Sequence, residues 1–104
     1  MADPVKLAEI EKAVKSNKIM LFMKGTPDQP LCGFSAASVA TLRKLNVPFA
    51  TADVLADEGL RQNVKEYSDW PTYPQLFIKG ELVGGNDIIQ QLYAAGDLQK
   101  LVAG

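Results

Sequence analysis

The chain has no histidine and a single cysteine, Cys32, among its 104 residues. Without histidine it lacks the commonest neutral metal ligand and the usual general base near neutral pH. With one cysteine it cannot close an intramolecular disulfide. Chemistry beyond carboxylates and amines therefore runs through one thiol. Charge of one sign is also missing: 11 basic and 12 acidic residues leave a net charge of −1. No Lys/Arg cluster supplies a phosphate-neutralising footprint, which argues against a nucleic-acid partner. No apolar run is long enough to span a bilayer, so no membrane is expected either. Met1-Ala2-Asp3-Pro4 lacks the basic, then apolar, then small-residue layout of a secretory signal. A cytoplasmic protein is expected, or an organellar one if a targeting segment has been removed.

What is present is ordinary folded-domain material: 47% hydrophobic and 22% charged residues. The length suits one domain over residues 1–104 with one core. Asp3-Pro4 signals a helix start, followed by Leu7, Ile10 and Val14 at helical spacing and Asn17 as a stop. Ile19-Met20-Leu21-Phe22-Met23 is an unbroken apolar run, as expected of a strand buried on both faces. Gly25 to Pro30 must be a loop. From Gly33 to Leu45, Ala36, Val39, Ala40 and Leu42 fit the inner face of a second helix, and Asn46-Val47-Pro48 ends it.

Phe49 to Val54 reads as a strand, and Asp57 as the cap of a helix carrying Leu60, Val64 and Tyr67 on one stripe. Gln75 to Ile78 and Glu81 to Val83 form a hairpin about Lys79-Gly80. Asn86 or Asp87 caps a fourth helix, Gly96 closes it, and a short helix runs from Asp97 to Val102. The order α-β-α-β-α-β-β-α-α predicts an α/β protein with a four-stranded mixed sheet and helices on both faces, the thioredoxin-like arrangement.

Cys32 falls between a loop and the first turn of the second helix. A thiolate there meets unpaired backbone N–H groups and the positive end of the helix dipole. A free cysteine is most often a small buried hydrophobe, but nothing in a loop-to-helix corner requires a core residue. Lys24 adds a charge nearby. Cys32-Gly33-Phe34-Ser35 keeps the spacing of a Cys-x-x-Cys pair, with a hydroxyl in place of the second thiol. Such a site cannot release a mixed disulfide internally, which shifts the balance towards a ligand role.

Four segments, in order, carry a resemblance over nearly the whole chain: Lys24-Gly25-Thr26-Pro27, Cys32-Gly33-Phe34-Ser35, Trp70-Pro71-Thr72-Tyr73-Pro74-Gln75 and Gly84-Gly85-Asn86-Asp87. Together they resemble the monothiol glutaredoxins of the Cys-Gly-Phe-Ser class. The resemblance implies a glutathione site built from Lys24, Cys32, Phe34, Arg61, Tyr73, Pro74, Gly85, Asn86 and Asp87. Tyr73, before a cis Pro74, would pair with the tripeptide backbone. Lys24 and Arg61 would take the glycyl carboxylate, with Lys65, one helical turn on, competing for Arg61's place. The N–H groups of Asn86 and Asp87 would hold the γ-glutamyl carboxylate and the Asp87 side chain its ammonium group. Each charged residue also has a plainer reading, as solvated surface or as a helix cap. Trp70 reads as a packing or partner-surface residue.

A [2Fe–2S] cluster needs four ligands, typically thiolates. In the family, two chains and two glutathiones provide them. The resemblance therefore implies a homodimer when the cluster is bound and a monomer when it is not, with Cys32 as the ligand in each chain. It also implies BolA-like and apo iron–sulfur recipient proteins as partners. The loop Thr26 to Pro30, longer than in typical two-cysteine relatives, is implied to place glutathione for cluster binding. The alternative is a glutathione-dependent oxidoreductase acting on glutathionylated proteins through Cys32. A module whose thiol is incidental is the third reading. One departure is Asn86, where many relatives carry cysteine.

Overall fold

The computed structural model describes residues 2–103. Helix α1 (Pro4–Ser16) starts where Asp3 accepts the N–H of Val5 at 3.0 Å, and it ends at Asn17, whose side-chain amide donates to the Ala13 carbonyl at 2.8 Å. Strand β1 (Ile19–Met23) is buried at all five positions. Alternation sends Ile19, Leu21 and Met23 to one face, and Met20 and Phe22 to the other. Full burial of side chains of this size contributes about 1.5–3 kcal/mol each.

Helix α2 (Gly33–Lys44) leads to β2 (Ala50–Asp53), α3 (Glu58–Ser68), β3 (Gln75–Ile78), β4 (Glu81–Gly84), α4 (Asn86–Ala95) and α5 (Asp97–Val102). The strands run in the order β2-β1-β3-β4. β1 is parallel to β2, with Leu21 opposite Thr51, and antiparallel to β3, with Leu21 opposite Leu76. β4 is antiparallel to β3. The β3–β4 turn places Lys79 and Gly80 at φ 53° and 83°, the left-handed pair that a two-residue hairpin favours. One core packs α2, α4 and α5 on the sheet, and the other packs α1 and α3 on the opposite face. This is the thioredoxin-like fold with a mixed sheet between two helical layers.

Some sequence expectations need correction. In α2, Val39 and Leu42 face the core, but Ala36 is half-buried and Ala40 is exposed. The inner face instead buries Ser35, Ser38 and Thr41. Polar groups are admissible there because each finds a partner: α4 answers Ser38 and Thr41, and the Lys24 N–H answers Ser35. The Ser38 hydroxyl lies 3.0 Å from the Phe34 carbonyl and 2.9 Å from Asn86 Oδ1, and Gln90 Nε2 lies 2.9 Å from Thr41 Oγ1. The cap of α4 is Gly85, not Asn86 or Asp87, which form its first turn. The remaining differences are one-residue shifts at the ends of α2, β2 and β4.

Topology sets where the site lies. β3 runs against β1 and β4 runs with it, so the end of β1, the start of β3 and the end of β4 meet at one edge of the sheet. α2 and α4 both begin there.

Candidate functional site

The chain leaves β1 through a closed turn. The N–H of Lys24 donates to the Ser35 hydroxyl at 3.1 Å, and the N–H of Gly25 donates to Asp53 Oδ1 at 2.9 Å. Gly25 has φ 94°, and a Cβ on it would stand 2.5 Å from the Gln29 carbonyl oxygen, so the turn requires glycine. Thr26 and Gln29 exchange backbone bonds of 3.2 and 3.1 Å, and Leu31 N–H returns to the Lys24 carbonyl at 2.9 Å. The Asp28–Arg43 ion pair, at 2.9 Å, ties this loop to α2.

Cys32 emerges as the extended N-cap residue of α2 and is partly exposed. Its thiol is held below the ordinary value of 9.0. The chief cause is the backbone N–H of Ser35, against which burial acts; the N–H of Phe34, the Lys24 charge and the Ser35 hydroxyl add to the lowering. The thiol thus sits at a helix start that favours its ionised form, and it is not a core hydrophobe. Phe34, next to it, is 63% exposed.

The second wall is the segment between α3 and β3. Asp69 closes α3 in the left-handed conformation, and the Tyr73–Pro74 bond is cis, as expected from the sequence. The Tyr73 hydroxyl donates to the Arg61 carbonyl at 2.6 Å. Burial pushes the phenol up to about 12. The Lys65 ammonium group stands 5.9 Å from the Tyr73 ring centroid.

The third wall is the start of α4. Gly84 has φ 145°, and a Cβ there would lie 2.5 Å from Ile88 Cδ1. A Cβ on Gly85 would lie 3.4 Å from the Pro74 carbonyl oxygen. Gly84 thus lets the chain turn tightly onto Ile88 of α4, and Gly85 places the start of α4 within van der Waals reach of the proline segment. The Asn86 side chain bonds Ser38 and Gln90 in the α2–α4 seam, so what it offers the groove is its backbone. Asp87, one residue on, is exposed.

These walls enclose one open groove of about 470 Å³, within the range of small-molecule sites. All nine residues named from the sequence line it: Lys24, Cys32, Phe34, Arg61, Tyr73, Pro74, Gly85, Asn86 and Asp87. Lys65 lines it too, beside Arg61. Trp70, Pro71, Thr72 and Ile88 line it as well, the first three within the proline segment and Ile88 with no sequence signal beyond that of a helix-core residue. Arg61 Nε and Trp70 Nε1 are buried and have no hydrogen-bond partner. The groove is therefore lined by three cationic side chains, the start of a helix, one carboxylate and one thiol whose ionised form is favoured. Among the described residues no group of three or more His, Cys, Asp or Glu side chains could hold a metal ion. Among them, too, no helix is long and apolar enough to cross a membrane.

Comparison with known proteins agrees with this geometry. The glutaredoxin family profile matches residues 19–83. A probable monothiol glutaredoxin 2 of Rickettsia typhi is 52% identical over 102 residues, covering 98% of this chain and 92% of that protein. Chloroplastic monothiol glutaredoxin-S7 of Oryza sativa subsp. japonica is 57% identical over 97 residues, 93% of this chain and 58% of its own length. The solution structure of reduced poplar apo GrxS14 superposes with a TM-score of 0.80 at 52% identity, covering 91% of this chain and 87% of that one. A buckwheat glutaredoxin–glutathione complex, at 20% identity and a TM-score of 0.84 over 94% of this chain and 87% of that one, shares the fold. With the thiol, the proline segment and the double glycine in one groove, and relatives of this similarity along its length, the chain belongs to the monothiol glutaredoxins.

Proposed function

We propose that the chain binds glutathione in the Cys32 groove and, with it, holds and passes on a [2Fe–2S] cluster. The observation that carries this reading is the isolation of a stabilised thiolate: Cys32 is partly exposed at the start of α2, and the neighbouring Ser35 is fully buried and bonded to Lys24. One chain thus offers one thiolate, whereas a cluster takes four ligands. Two chains and two glutathiones complete the set.

The groove's charges suit glutathione, which has two carboxylates, one ammonium group and one thiol. Lys24 and Arg61 take the glycyl carboxylate. The N–H groups of Asn86 and Asp87 take the γ-glutamyl carboxylate, and the Asp87 carboxylate takes the ammonium group. Tyr73 and Pro74 lie along the tripeptide backbone, with Gly85 allowing close approach and Phe34 flanking the thiol. The cluster is cargo in this scheme. It sits between two copies, which separate as monomers once it leaves, and it passes to apo iron–sulfur proteins, with a BolA-like protein as a further partner. A cytoplasmic site of action is proposed, or an organellar one, the latter in keeping with the chloroplastic relative.

The lowered thiol favours a second reading, a monothiol oxidoreductase. The Cys32 thiolate attacks the glutathione sulfur of a protein–glutathione disulfide and releases the protein thiolate. A second glutathione then attacks the Cys32–glutathione disulfide, freeing Cys32 and oxidised glutathione.

The deciding experiment is anaerobic reconstitution with iron, sulfide and glutathione, read by visible absorbance and gel filtration, beside Cys32→Ser and a no-glutathione control. A coloured dimer that requires both Cys32 and glutathione is the expected result. A colourless monomer sinks the carrier reading, and turnover of a glutathionylated protein then decides the oxidoreductase one.

A further inference from the structure

Gln75 opens β3, and it is a polar side chain with no exposure at a position followed by Leu76, Phe77 and Ile78. Its Nε2 donates to the Trp70 carbonyl at 3.0 Å and to the Thr72 carbonyl at 3.1 Å. Its Oε1 is buried and has no partner. Leaving a carbonyl oxygen unpaired in the interior is unfavourable. An apolar residue would avoid that cost, so the two donated bonds are what the amide contributes.

The carbonyls it holds belong to the segment that walls the groove. Residues 70–74 include two prolines, which have no N–H to donate. Among the described residues, no backbone–backbone hydrogen bond outside helices and strands ties this segment down. Its other anchors are side-chain bonds, from Trp70 N–H to the Ser68 hydroxyl at 3.2 Å and from the Tyr73 hydroxyl to Arg61. A primary amide carries two N–H bonds on one nitrogen, diverging widely enough to reach carbonyls two residues apart. Asparagine is one carbon shorter, and a glutamate carboxylate has no donor.

We propose that Gln75 is a positioning residue for the groove: its amide sets the path of Trp70 to Pro74 and thereby the affinity for glutathione. The affinity part rests on the glutathione reading above; the effect on the path of the segment does not. Gln75→Met keeps the length and removes both donors. Gln75→Glu keeps one donor only while protonated, and burial against two carbonyl oxygens raises the pKa of such a carboxyl.

The test combines calorimetric titration with reduced glutathione, amide hydrogen exchange on the ligand-free protein, and the pH profile of Cys32 alkylation. Gln75→Met should bind glutathione about tenfold more weakly. It should exchange faster at Trp70, the one amide of the segment held by a hydrogen bond, with β1 protected as in wild type and the Cys32 profile unmoved. Gln75→Glu should bind at an intermediate level and weaken further as pH rises, beyond any change in wild type or Gln75→Met. Wild-type binding and exchange in Gln75→Met overturn the proposal. So does exchange that rises equally over the whole sheet, or failure of both variants to fold, since either makes Gln75 a core residue. If wild type itself binds no glutathione, the groove reading fails, and the exchange data alone decide the role of Gln75.

Discussion

The Ser35 hydroxyl, at the position of the second thiol in a two-cysteine site, accepts the backbone N–H of Lys24 at 3.1 Å. It joins the end of β1 to the first turn of α2 and also supports the Cys32 thiolate. Ser35→Ala removes both effects. The lost bond should cost about 1–2 kcal/mol, because the Lys24 N–H is left without its partner. The Cys32 titration should move up slightly, since the hydroxyl is the smallest of the causes that lower it. Thermal unfolding and alkylation kinetics measure the two effects separately. An unchanged unfolding midpoint would show that the bond is dispensable.

The Cys32 thiol titrates below 9.0 in the folded chain. The rate of iodoacetamide alkylation should therefore rise with pH to a plateau, with its midpoint under that of a model thiol. The linkage to stability has a definite sign. The contribution of Cys32 is fully present above the unfolded-state value and is lost as pH falls through the folded one. Lys24→Met should raise the midpoint only partway, because the N–H groups of Ser35 and Phe34 remain. A midpoint in Lys24→Met equal to that of the unfolded chain would mean that Lys24, and not the helix start, stabilises the thiolate.

Arg61 and Lys65 both line the groove, but their surroundings differ. Arg61 Nε is buried and unpartnered, whereas the Lys65 ammonium group stands over the Tyr73 ring. Arg61→Met should weaken glutathione binding about tenfold to a hundredfold, as expected for a lost charge-assisted bond. Lys65→Met should weaken it by less than about threefold, in the range of a screened surface charge. Calorimetry on the two variants checks the order. The reverse order would assign the glycyl carboxylate to Lys65.

What could be read from the sequence follows from which interactions are local. The run Ile19 to Met23 announced a strand buried on two faces, and Asp3 and Asp57 announced caps, because each signal lies within a few residues of its effect. Most of the groove residues were legible because four short segments carry them; Arg61 and Lys65, on α3, lie outside those segments. The inner face of α2 was not, since Ser38 and Thr41 are buried only by virtue of Asn86 and Gln90, 48 and 49 residues away. Gly85 was missed as the cap of α4 because Asn86 and Asp87 are the commoner capping types. Here the Asn86 side chain is drawn instead to Ser38 and Gln90. Gln75 looked like an ordinary strand residue for a similar reason: the carbonyls it holds depend on the path of the proline segment.

Tyr73 joins the groove to alkaline stability. Its hydroxyl donates to the Arg61 carbonyl at 2.6 Å, and burial lifts its pKa to about 12 from an ordinary value of 10.0. The neutral phenol is the form that the fold favours. Its contribution is therefore fully present below the unfolded-state value near 10.0 and is lost as pH rises through about 12. Tyr73→Phe should cost about 1 kcal/mol at neutral pH through the lost bond. It should also remove this residue's share of the decline in alkali, so the stability curves of the two proteins should converge as pH rises. Urea unfolding in steps from neutral pH into that range measures both. Parallel curves would mean that the phenol ionises as freely in the folded chain as in the unfolded one.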